Sequence, residues 1–111
     1  MTTPDDRGKV ALNLVAIAME WIEPRINDLA DFPSILIYPS NRNVTILFGY
    51  HSFESKSLTK LFALFAGQTA IRKLTHETWE YFIGDETCGL LFKWYVWKRA
   101  DDSLNTTEVT L

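Results

Sequence analysis

Leu90-Leu91-Phe92-Lys93-Trp94-Tyr95-Val96-Trp97-Lys98-Arg99 alternates two kinds of side chain. On a strand, neighbours point to opposite faces, so Leu90, Phe92, Trp94 and Val96 share one side. Leu91, Lys93, Tyr95, Trp97 and Arg99 share the other. The first set is wholly apolar and reads as core. The second mixes large rings with cations, which suits a surface. A strand of this kind belongs to a sheet that is packed on one face and open on the other.

The segments around it follow the same rule. In Thr78–Ile83, Trp79, Tyr81 and Ile83 read as core, while Thr78, Glu80 and Phe82 take the other face. In Val44–Tyr50, regular alternation sets Val44, Ile46, Phe48 and Tyr50 against Thr45, Leu47, Gly49 and His51. Ser34–Tyr38 is another β-branched and aromatic run. Pro39-Ser40-Asn41-Arg42-Asn43 after it is turn chemistry, which makes a hairpin. A further strand is expected at about 70–75. Gly84-Asp85-Glu86-Thr87-Cys88-Gly89 is the turn before the last strand.

Two helices complete the pattern. Thr3 caps the first, Pro4 suits its first position, and Asp5-Asp6 complements the positive end of its dipole. Val10, Leu14, Ile17 and Trp21 form its apolar stripe, flanked by Ala11, Val15, Ala18 and Ile22. Pro24 ends or kinks it near Glu23. Ser55 or Ser57 caps the second helix, whose face is Leu58, Leu61, Phe62 and Phe65, with Gly67 at its C-terminal end. The order is α-β-β-α-β-β-β. The expected fold is α+β: a two-layer sandwich with a mostly antiparallel sheet of about five strands and two helices on one face. Its αββαββ portion fits a circularly permuted split-βαβ arrangement. Residues 1–99 form the domain, and the acidic stretch 100–111 is expected to be a mobile tail.

The chain has 111 residues, 14 % of them aromatic, and a net charge of −3. That charge argues against generic nucleic-acid binding, which rests on neutralising phosphates. Yet residues 56–99 carry seven bases against four acids, so a local basic patch is available there. A single cysteine, Cys88, cannot form an internal disulfide. No signal-peptide pattern opens the sequence and no apolar run is long enough for a bilayer. A cytoplasmic protein without membrane contact is the expectation.

Few residues suggest chemistry. His76-Glu77-Thr78-Trp79-Glu80 resembles half of a helical zinc motif, but its fifth residue is not His and the segment reads as strand. His51, His76 and Cys88 are a thin ligand supply. Cys88 sits in a turn with no base assigned to it by spacing, and Asp85-Glu86 there reads as solvated charge. No glycine-rich phosphate loop and no nucleophile elbow is present. The first helix reads as core packing rather than a partner helix. Val109-Thr110-Leu111 matches a carboxylate-capture ligand only loosely.

The remaining candidate is the second sheet face, with Leu47, Phe82, Tyr95 and Trp97 set among charges. Its contact residues are expected to be Phe82, Lys93, Tyr95, Trp97 and Arg99. Tyr, Trp and Arg dominate interface energetics. The expected function is a non-catalytic protein-interaction module of inhibitor, immunity or adaptor type, including those encoded by phages or mobile elements. Its partner is an unidentified protein or a second copy, and no cofactor or metal is expected. The alternative is single-stranded nucleic acid stacked on the same rings. The bland alternative is that the tail, the 24–33 segment or a loop covers this face.

Overall fold

The computed structural model describes residues 4–84, 89–99 and 106–111. Helix α1 spans Pro4–Ile22 and runs into a 3-10 turn, Glu23–Asp28, with Pro24 in its first turn. Strands β1 (Ser34–Tyr38) and β2 (Asn43–His51) follow, then helix α2 (Lys56–Leu64). Strands β3 (Thr69–Thr75), β4 (Thr78–Ile83), β5 (Leu90–Trp97) and β6 (Thr106–Thr110) complete the chain. They form one six-stranded sheet in the order β1-β2-β5-β4-β3-β6. Among the described strands only the β2–β5 pair is parallel.

Both helices pack on one face. Leu14, Ala18 and Ile22 of α1 and Leu58 and Leu61 of α2 share a core with Ile46, Trp79, Tyr81, Phe92, Trp94 and Val96. The centre of this core is aromatic. Trp94 is fully buried and stacks on Tyr81 at 5.4 Å and on Phe65 at 5.5 Å between centroids. Such ring pairs contribute about 0.5–1.5 kcal/mol each beyond the area they bury. The α+β two-layer class with a mostly antiparallel sheet is therefore present, as the alternation in the strands implies.

Four details differ from the sequence reading. First, residues 106–110 are not tail. They pair with β3 as an edge strand, and Val109 and Leu111 pack against the core. Thr107, Val109 and Leu111 alternate with polar partners, a pattern five residues long that the neighbouring acids obscured. Residues 100–105 lie outside the described residues, as do the Thr3 cap, Asp85, Glu86 and Cys88. Second, the buried line of α1 runs along Leu14, Ala18 and Ile22, while Ile17 is 40 % exposed. Third, the topology is not a permuted split βαβ. In that arrangement one strand separates the two parallel strands that a helix joins. Here β5 and β4 both lie between β2 and β3.

The fourth difference bears on the candidate site. Leu47 pairs with Lys93, but Tyr50 pairs with Tyr95, so Phe48 and Gly49 together oppose the single residue Trp94. Gly49 has φ +82, a conformation that suits glycine. The result is a β-bulge, which inverts the side-chain parity beyond it. Tyr50 therefore leaves the core side on which regular alternation placed it, and His51 leaves the open side.

Candidate partner-binding face

The face of the sheet opposite the helices is crossed by registered rows of side chains. Ser34, Leu47, Lys93, Phe82, Ile71 and Glu108 form one row from β1 to β6. Tyr50, Tyr95, Glu80 and Lys73 form the next. Trp97, Thr78 and Thr75 lie beyond it. No described helix covers these rows. The 28–34 segment instead lines a cleft with α2, and 106–110 lies at the sheet edge.

The bulge gives this face its main feature. Tyr50 stacks on Tyr95 with centroids 4.7 Å apart and on Trp97 at 5.3 Å. The Tyr50 ring lies nearly parallel to each of the other two, at 17° and 25°, and Tyr50 is 60 % and Trp97 47 % exposed. Leu36, Tyr38 and Ile71 are also exposed on the strands. Rings packed against one another have less freedom to lose when a partner binds. Tyr95 is the most enclosed of the three. Burial, and then the nearby Glu80 carboxylate, push its phenol above the ordinary value of 10.0.

The cations behave differently from the rings. Lys93 Nζ lies 3.3 Å from Glu80 Oε1, within the face. The Arg99 guanidinium sits 4.3 Å from the centroid of Phe53, a ring that packs against the core. The structure thus brings Phe82, Lys93, Tyr95 and Trp97 together on one face and turns Arg99 toward Phe53. Tyr50 is the member that regular alternation misses. Its signal was available: an isolated glycine inside a strand often marks a bulge. The outward charges on the described strands balance, with Lys73 and Lys93 against Glu80 and Glu108.

The other candidates stand apart from this face. His76 is exposed in the tight turn between β3 and β4, with φ +36. His51 faces the start of α2. Among the described residues no three of His, Cys, Asp and Glu converge on a point where a metal ion could sit. No described helix is long and apolar enough to cross a membrane. No family model, no curated protein and no solved structure matches the chain. The functional reading therefore rests on the geometry of this face.

Proposed function

We propose that this protein is a cytoplasmic interaction module that acts by laying the open sheet face on the surface of a partner protein, as an inhibitor, immunity protein or adaptor does. The observation that carries the reading is the Tyr50–Tyr95–Trp97 stack on the side away from both helices. Large rings with only two side-chain torsions supply contact area at low entropic cost. Phe82 and Ile71 extend the apolar area across β4 and β3, and the Lys93–Glu80 pair lies beside them. The face works by contact, and no cofactor enters the reading.

Single-stranded nucleic acid is the second reading, favoured by the same stack, since every base has a face to lay on a ring. Balanced charge supports the protein partner instead: Lys93 is held by Glu80, and Arg99 is turned to Phe53. The test is capture of partners from the native host by the wild type and by the Tyr95→Ala/Trp97→Ala double variant, with and without nuclease. The expected result is a protein retained by the wild type after nuclease and lost by a folded double variant. Equal retention by both removes the reading. Loss of all binding on nuclease treatment favours the nucleic-acid alternative.

A further inference from the structure

A cleft of about 280 Å³ opens where residues 28–34 pass the end of β2 and the first turn of α2. His51 and Ser57 both line it. His51 is the last residue of β2 and Ser57 the second of α2, so the loop between them folds two distant side-chain directions onto one point. The Ser57 hydroxyl lies 2.8 Å from His51 Nδ1. His51 Nε2 lies 2.8 Å from the Phe48 carbonyl oxygen.

For a neutral ring, the partners of the two nitrogens assign the proton positions. A carbonyl oxygen only accepts, so Nε2 carries the ring proton. In the neutral ring Nδ1 is then a bare lone pair, and the close contact is attractive only if Ser57 donates to it. Ser55 Oγ, 3.2 Å from Ser57 Oγ, is the competing acceptor. It already donates to the Ser52 carbonyl and accepts the Leu58 amide. Turning the Ser57 proton toward it would leave two lone pairs facing each other across the shorter contact. The arrangement is a hydroxyl, a base within hydrogen-bond reach, and an acceptor that orients the base. Ser57 also lies in the first turn of α2, where the amides of Lys56 and Ser57, unlike that of Leu58, are left without an intrahelical acceptor.

We infer that Ser57 is a nucleophile activated by His51, and that the cleft takes a short-chain carboxylic ester. Leu29, Phe32 and Phe48 supply apolar walls for the acyl group. Ser57 Oγ bonds to the ester carbonyl carbon as its proton passes to His51 Nδ1. The carbon–oxygen bond to the leaving alcohol breaks, and His51 returns the proton to that oxygen. Water then attacks the acyl-serine, giving its proton to His51, and Ser57 leaves with that proton as the carboxylic acid departs. This activity is separate from the open face and does not depend on its reading.

The test is labelling of the intact protein with a fluorophosphonate, in which the Ser57 oxygen displaces fluoride from phosphorus, followed by peptide mass spectrometry. The native protein is expected to take one label, at Ser57. Ser57→Ala abolishes it, and His51→Gln slows it at least about a hundredfold. Labelling disappears in urea, because the activation is built by the fold. A folded wild type unlabelled at Ser57, or labelled as fast in urea, overturns the inference. If His51→Gln fails to unfold cooperatively and so is not folded, the native-against-urea comparison decides. Hydrolysis of p-nitrophenyl acetate faster than p-nitrophenyl octanoate supports the short-chain assignment, and the reverse order overturns it.

Discussion

Replacing Gly49 by Ala tests the device that builds the aromatic face. An added Cβ at Gly49 meets no atom within 4 Å, so no steric clash enters. The cost lies in the backbone. At φ +82 an L-residue loses about 1–2 kcal/mol relative to the right-handed regions. Part of this is offset because Ala restricts the unfolded chain more than Gly does, by about 0.4–1 kcal/mol. The net loss expected is about 0.5–1.5 kcal/mol, or roughly 3–10 °C in Tm for a domain of this size. Gly8, in α1, supplies the control. Its Cβ also meets nothing within 4 Å, and its φ is not positive. Gly8→Ala should therefore stabilise, by about 0.5–1 kcal/mol, because glycine is a poor helix residue. Thermal unfolding followed by circular dichroism reads both. The reasoning fails if Gly49→Ala leaves Tm unchanged or raises it as Gly8→Ala does.

Truncation after Asn105 removes Val109 and Leu111 from the core and the paired bonds of Leu111 with Gly67 and Gln68. A loss of about 2–3 kcal/mol is expected in urea unfolding, with aggregation through the bared β3 edge, and unchanged stability would contradict the edge-strand assignment. Tyr95 sets an alkaline limit. Its folded pKa is raised, so above the ordinary 10.0 the unfolded chain gives up a proton that the folded one holds, and stability falls as pH rises. Tyr95→Phe should flatten that fall while altering nothing attributable to ionisation at pH 7, and identical pH profiles for the two proteins would refute it. Gly84→Ala should cost more than Gly49→Ala, because its Cβ would sit 3.0 Å from the Leu90 backbone oxygen as well as at φ +111. Equal losses in thermal unfolding would count against the close approach.

How much of this was legible in the sequence depended on the length of each pattern. In β5 the alternation assigns two faces, and from Phe92 onward burial follows it, with Trp94 and Val96 set against Tyr95 and Trp97, while Leu91 on the outward side is buried. The first turn of α2 was legible because Ser55 is a capping residue followed by an apolar periodicity, and its side chain accepts the Leu58 amide. Tyr50 was misplaced because alternation carries no information across an inserted residue, and only Gly49 marked the insertion. The strand at 106–110 was hidden by its shortness and by the polar run before it. The Ser57–His51 contact had no signal at all. It joins the end of a strand to the start of a helix, and nothing in a spacing of six residues says that the intervening loop will close on itself.

Hydroxyl-radical footprinting, read residue by residue in the free protein and in the captured complex, reaches the heart of the account. Tyr50 and Trp97 should oxidise far faster than Trp94 and Tyr81 in the free chain, and should become protected when the partner binds. Slow oxidation of Trp97 in the free protein, matching that of Trp94, would contradict the open face, and unchanged oxidation of both exposed rings in the complex would contradict its use.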